Sequence, residues 1–303
     1  MKLSTNILVT FFLGFLTIIF IIYETSFHSN AMNEINNECP QVIIKEKEER
    51  IIEKIIEKSV PVKLKIAVVS AMHDLSFGEI AQDNFKKYCD LHGYSLHVHT
   101  KRTAEGRSLP WEKLTAIKEA MIEGNYDYIF WMDADSLFMN MSKRLEDFIV
   151  NNNFPDLLFS GDLNFCLNSG HMIIKNNWWS FTFFEDVWNS YPVPQPNHDD
   201  QTAMLLILLG KTPQEIRTMN RVDRSIGGHC LTPQEIEVCK GRFHPRFNGH
   251  LAMVPQRDIN SYSPYPWFSR VEELYQEGDF IIHFAGLPEK LTRMRDYAKK
   301  TTV

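Results

Sequence analysis

The sequence predicts an α/β protein whose sheet is mainly parallel, and three observations carry that prediction. From Lys65 onward, short apolar runs alternate with amphipathic stretches, the order that builds βαβ units and a nucleotide-binding type of half. The runs are rich in Val, Ile and aromatic residues, as strands covered on both faces are. The most apolar of them, YDYIFWM at 126–132, stops abruptly at Asp133 and Asp135. Paired carboxylates at a strand's carboxyl end stand where open α/β sheets bind ligands.

The elements follow in order. KIAVVSA (65–71) is the first strand and 77–91 the first helix. YSLHVHT (94–100) is the second strand, 112–123 the second helix, and 126–132 the third strand. SGHMIIK (169–175) predicts another strand, WWSFTFFEDVW (178–188) a helix with an aromatic face, and QTAMLLILL (201–209) a buried helix. VPQRDINSY (254–262) and FIIHFAG (280–286) are late strand or loop segments. With no internal repeat and no second boundary, residues 64–303 form one domain.

The N-terminal part differs in kind. Residues 7–23 (ILVTFFLGFLTIIFIIY) carry no charge, and roughly 17 apolar residues are the lower limit for a helix that spans a bilayer. Lys2 precedes the run, while Glu24, Glu34 and Glu38 follow it. That asymmetry puts residues 1–6 in the cytosol and the bulk of the chain on the far side. A cleaved signal peptide is the alternative, with Ser29 and Ala31 as small residues near a cleavage point. Residues 24–63 are a stem: IIKEKEERIIEKIIEK (43–58) has apolar pairs at helical spacing among i,i+4 opposite charges. It is too short to specify a coiled coil, although a homodimer through this stem is a possible partner arrangement.

Hydrophobic content of 44% and aromatic content of 12% supply a sizeable core. A net charge of −6 argues against nucleic acid as a partner. Cys230 and Cys239 could close a small disulfide loop, whereas Cys39, Cys89 and Cys166 have no evident partner. No CxxC occurs, which disfavours a thiolate zinc site. Asn140-Met141-Ser142 is a glycosylation sequon, meaningful if the domain is lumenal.

Side chains two apart on an extended backbone point the same way, so Asp133 and Asp135 can converge on one object. Two carboxylates held together resist joint ionisation unless a cation lies between them. Mg²⁺ or Mn²⁺ takes oxygen ligands and keeps positions for substrate phosphates. Three functions then compete. In a sugar-nucleotide transferase the metal bridges the donor's two phosphates. In a phosphatase of the haloacid dehalogenase type the first Asp is the nucleophile, with Asp199 and Asp200 as a later acidic pair. That pair, however, follows a proline-rich loop and opens a helix, where the phosphatase needs a strand. In a non-catalytic, membrane-anchored sugar-binding protein the acidic pair is merely solvated.

Six segments together resemble glycosyltransferase family 34: LPWEKLTAIKEA (109–120), YDYIFWMDADSLFMN (126–140), LNSGHMIIKNNWWS (167–180), DDQTAM (199–204), VPQRDINSY (254–262) and GDFIIHFAG (278–286). They occur in the family's order. The resemblance implies a GT-A fold, a Rossmann-like mixed sheet flanked by helices, behind a type II anchor in the Golgi membrane. It implies metal-dependent, retaining transfer of galactose, mannose or xylose from a UDP- or GDP-sugar to a glycan acceptor. Asp133, Asp135 and His283 would hold Mn²⁺ or Mg²⁺. The donor would meet Lys113, Asp133, Ala134, Asp135, Asn168, Ser169, Gly170, His283, Gly286 and Lys290. Asp200 and Gln201 would act near the anomeric carbon, beside Asp199.

Departures from the family pattern concentrate after HFAG. Leu287 stands where many members have Cys, and Pro288 delays the first lysine to Lys290. Lys290, Arg293 and Arg295 are therefore the candidates for neutralising the diphosphate. Gln256 and Arg257 could shape the site. His97 and His99 share a strand face, but that spacing alone predicts an ordinary satisfied pair. The aromatic residues of 178–188 could stack on acceptor sugars, although their helical spacing suits core packing better.

Overall fold

The computed structural model describes residues 63–302, except 164, 197, 224–227 and 267–269. The anchor expected at 7–23 lies outside the described residues, as does the stem at 24–63 apart from Lys63. Among the described residues no helix is long and apolar enough to cross a membrane. Lys63–Val303 forms one compact unit.

The predicted alternation is present from the first element: β1 (Ile66–Ala71), α1 (Gly78–His92), β2 (Ser95–His99), α2 (Glu112–Glu123) and β3 (Tyr128–Met132). There follow β4 (Ser136–Phe138), α3 (Leu145–Asn151), β5 (Leu157–Ser160), β6 (Asn168–Lys175), α4 (Trp178–Asn189) and α5 (Asp199–Leu208). The rest is α6 (Pro213–Thr218), α7 (Pro233–Lys240), β7 (Leu251–Val254), α8 (Gln256–Ile259), β8 (Ser261–Tyr262), β9 (Ile281–His283) and α9 (Lys290–Ala298).

Six strands form one sheet in the order β2-β1-β3-β6-β5-β7. Only β6 runs against its neighbours; the other pairings are parallel. β3 lies inside the sheet and is buried along its whole length. Its alternate side chains feed two cores: Ile129 and Trp131 pack with α2, α4 and α5, while Tyr128, Phe130 and Met132 pack with α1, β4 and β9. A strand covered on both faces has no use for polar alternation, which explains its continuous apolar run. The aromatic helix α4 mostly serves the first core through Phe183, Phe184 and Val187, as its spacing predicted.

The stretch 254–262 is more broken than a strand. β7 ends at Val254, Pro255 turns the chain, and α8 makes a single helical turn before β8. Pro at a helix start is pre-set in φ and lacks only a donor the helix would not use. β8, β9 and β4 make a second, three-stranded sheet in the order β4-β9-β8. Cys230 and Cys239 are joined as a disulfide, with the buried Cys166 thiol beside them. At the sequon, the Asn140 amide donates to the Gly278 carbonyl at 3.3 Å and its Oδ1 accepts from Ser142.

Candidate active site

Three pairings bring the motifs to one edge of the main sheet. Antiparallel β4–β9 register sets Ser136 opposite His283, and the Phe284 amide donates to the Asp135 carbonyl at 2.8 Å. Residues 135 and 283 are thereby neighbours despite their distance in sequence. In β3–β6, Met132 pairs with His171, so Asn168, Ser169 and Gly170 run on beside the acidic pair. The Asp133 amide closes that step by donating to the Gly170 carbonyl at 2.9 Å. Finally, α2 and α5 start near the same edge and deliver Lys113 and Asp200 from their first turns.

Asp133, Asp135 and His283 each offer a ligand atom, all within 4.8 Å of one another. His283 Nε2 lies 3.2 Å from Asp135 Oδ1 and 3.9 Å from Asp133 Oδ2. Its other nitrogen, Nδ1, is 2.8 Å from Asn260 Oδ1. An amide oxygen only accepts, so Nδ1 donates to it and Nε2 is the nitrogen turned toward the aspartates. This is how a metal-binding imidazole is usually oriented. Two carboxylates and one imidazole suit a hard-to-borderline divalent ion. The donor set therefore fits Mn²⁺ or Mg²⁺.

Lysines hold both carboxylate groups at this edge. Lys290 Nζ is 2.6 Å from Asp135 Oδ2. Burial opposes the charge on Asp135, yet His283 and Lys290 together hold its carboxyl well below the usual range. Lys113 is only 4% exposed, so it is no solvated helix lysine. Its ammonium donates to Ser169 Oγ at 2.9 Å and Asp200 Oδ2 at 3.0 Å, and lies 3.4 Å from Asp133 Oδ1. Burial favours its neutral form, but Asp133 and Asp200 more than offset that and push its pKa up. Burial raises the Asp200 carboxyl, with Lys113 opposing.

Around this ridge lie two open cavities. One, of about 240 Å³, is lined by Ala71, His73, Phe77, His99, Lys101 and Lys290 and reaches Asp133, Ala134 and Asp135. The other, of about 450 Å³, reaches the same aspartates from the side of Asn168, Ser169, Gly170, Asp200, Gln201, His283 and Gly286. Lys113, Asp133 and Asp135 border both. Gly170 is where a side chain could not be accommodated: a Cβ would stand 2.7 Å from His283 Cε1 and 2.9 Å from Asn168 Oδ1. Gly286 has φ +65, a conformation glycine adopts freely. Asp199, which lines the larger cavity, also has positive φ, and its carboxylate accepts from Ser108 Oγ.

Apart from His99, the other candidates lie elsewhere. Arg295 lines a groove with Glu79, Asp83 and Lys87, and Arg293 donates to the Pro264 carbonyl while lying over Tyr265. Neither borders the two cavities. Arg257 makes a two-pronged pair with Asp279, at 2.7 and 3.0 Å, and Gln256 is wholly buried. His97 meets Tyr126, and His99 is held by Glu119 and Glu112. In contrast, Asp162, Tyr262 and Asn260 were not singled out by sequence. Asn260 and Tyr262 sit inside a quoted segment, but nothing in its spacing announces their partners. Asp162 lies six residues before Asn168 in an irregular loop, with no motif to mark it.

The sequence profile of the galactosyl transferase GMA12/MNN10 family matches residues 66–160, which agrees with the resemblance carried by the six segments. The chain is 29% identical over 147 residues to putative glycosyltransferase 7 of Arabidopsis thaliana, covering 40% of this chain and 32% of that protein. It is 29% identical over 150 residues to xyloglucan 6-xylosyltransferase 4 of the same plant, covering 41% and 29%. To probable alpha-1,6-mannosyltransferase MNN10 of Saccharomyces cerevisiae it is 22% identical over 247 residues, covering 68% and 54%. The chain thus spans about a third of the length of these plant relatives. In fold it is similar to a glycosyltransferase involved in the glycosylation of the major capsid of PBCV-1. That crystal structure has a TM-score of 0.50 at 14% identity, over 77% of this chain and 99% of that one.

Proposed function

From the family match over residues 66–160, we infer that this chain is a glycosyltransferase of that family, metal-dependent and retaining. It moves galactose, mannose or xylose from a UDP- or GDP-sugar to a glycan acceptor. The observation that carries the metal dependence is the orientation of His283, whose Nε2 faces Asp133 and Asp135 because Asn260 engages Nδ1. By the same inference residues 1–6 are a cytoplasmic tail, 7–23 a type II Golgi anchor and 24–63 the stem. Residues 64–303 are then the lumenal catalytic domain.

Asp133, Asp135 and His283 would hold Mn²⁺ or Mg²⁺, which as a Lewis acid offsets negative charge on the departing diphosphate. Lys113 and Lys290 add fixed positive charge at the same ridge. Asn168, Ser169, Gly170 and Gln201 supply amide and hydroxyl groups that match sugar hydroxyls. The bond from the anomeric carbon to the diphosphate breaks as one to an acceptor hydroxyl forms on the same face, and that hydroxyl's proton passes to the diphosphate. Asp200, held by Lys113 and Ser169, stabilises the positive charge that develops on the sugar in between. A pre-aimed carboxylate needs no reorganisation at that moment.

The test is direct. The chain is incubated with UDP-galactose, UDP-xylose and GDP-mannose plus Mn²⁺, and nucleoside diphosphate release is followed before and after chelation. Release that stops with chelator and is abolished by Asp135→Ala supports the assignment. Full activity of Asp135→Ala sinks it.

A further inference from the structure

The larger cavity contains a carboxylate that the transfer chemistry leaves unused. Asp162 precedes β6 and is half-buried at the cavity's edge. Its Oδ1 accepts from the Leu163 amide at 2.6 Å and from the Tyr262 hydroxyl at 3.1 Å. Its Oδ2 accepts from Asn168 Nδ2 at 3.0 Å, with Gln201 Nε2 at a long 3.5 Å. Every one of these donors is neutral. Among the described residues no Lys, Arg or His comes within salt-bridge distance, unlike Asp133, Asp135 and Asp200. Burial pushes its pKa up, and the surrounding donors only partly counter that.

A carboxylate withdrawn from water without a counter-ion is costly, and such groups concentrate where ligands bind. Here the four donors fix its plane, and because the Gln201 contact is barely a hydrogen bond, Oδ2 keeps capacity to accept another. What fits an anionic acceptor beside amide groups, in a cavity that the metal candidates also line, is a polyhydroxylated ring that donates O–H. We propose that Asp162 is a specificity-determining residue that accepts a hydroxyl of the transferred sugar, positioned for this by Tyr262 and Asn168. This rests on the nucleotide-sugar function inferred above and adds to it the group that distinguishes the sugar from the nucleotide.

The experiment compares ligands with and without the sugar. Binding of UDP, GDP and the three nucleotide sugars in Mn²⁺ is measured by calorimetry on the full chain and on Asp162→Asn. The expected result is nucleoside diphosphate affinity unchanged within about twofold. Affinity for the preferred nucleotide sugar should be at least about tenfold weaker, the low end for hydrogen bonds to a charged group. A second measurement avoids any doubt about the variant's fold: deoxy-sugar donors are tested on the unaltered chain. One deoxy donor should lose about as much affinity as the substitution costs, and should lose little more in Asp162→Asn, as a coupled pair does. Equal weakening of diphosphate and sugar nucleotide would make Asp162 a scaffold residue and overturn the proposal, as would no change in either. If the unaltered chain binds nucleoside diphosphate but no nucleotide sugar more tightly, Asp162 fails while the metal site stands. If it binds neither, both fall.

Discussion

Asn260 Oδ1 stands 2.8 Å from His283 Nδ1 and thereby decides which ring nitrogen faces the aspartates. The same oxygen also lies 2.8 Å from His171 Nδ1, so one amide orients two buried imidazoles. Burial holds His171 in its neutral form.

Asn260→Ala should therefore weaken Mn²⁺ binding by about 10- to 100-fold, the usual effect of losing a group that orients a ligand. Manganese titration followed by electron paramagnetic resonance measures it, with circular dichroism to verify the fold. Unchanged affinity would mean that β9 alone aims the ring.

Gly170→Ala tests the packing around the same ring. The added methyl would meet His283 Cε1 at 2.7 Å, and Asn168 Oδ1 stands nearly as close on the other side. A displaced ring should reduce metal affinity at least about tenfold, with a stability loss of about 1–3 kcal/mol from overpacking. Metal affinity equal to that of the unaltered chain would show that the ring can yield without leaving the aspartates.

The Lys113–Asp200 pair lends itself to a double-mutant cycle. Lys113→Met strands a buried carboxylate and should cost about 3 kcal/mol of stability. Adding Asp200→Asn removes the stranded charge and should restore most of that loss, while transfer activity stays lost. Urea denaturation reads the first quantity and diphosphate release the second. Additive losses would deny that the two residues act as a pair.

Glu273 supplies a pH dependence of stability. Its side chain is buried, neither oxygen has a partner among the described residues, and burial pushes its pKa from 4.5 up to about 7. Between those values the folded chain binds more protons than the unfolded one, so stability falls as pH rises through the window and levels off above it. The loss from pH 5 to pH 8 should be on the order of 2 kcal/mol. In Glu273→Gln that contribution should vanish. Denaturation curves at the two pH values check it, and an unchanged slope in the variant would refute it.

Much of this was legible in the sequence because it depends on local pattern. The β1–α1–β2–α2–β3 alternation is written in apolar period, and Gly93 in the left-handed conformation stops α1 where the pattern fades. The acidic pair at the end of β3 was equally local. What did not show was pairing across long separations. The β4–β9 register that sets His283 beside Asp135 leaves no trace in the spacing of either segment, and only resemblance to relatives suggested it. Asp162, Asn260 and Tyr262 were hidden for the same reason. Their importance lies in their partners, and those partners are remote in the chain. Arg293 and Arg295 erred the other way: charge and proximity to Lys290 suggested them, but α9 turns them to other surfaces.

The ridge of carboxylates joins chain positions about 150 residues apart. An ion seated there would act as a clasp, tying the ends of a long span that the unfolded polymer leaves free. Folding and ion uptake are then one linked equilibrium, and scarcity of the metal would soften the molecule as well as silence it.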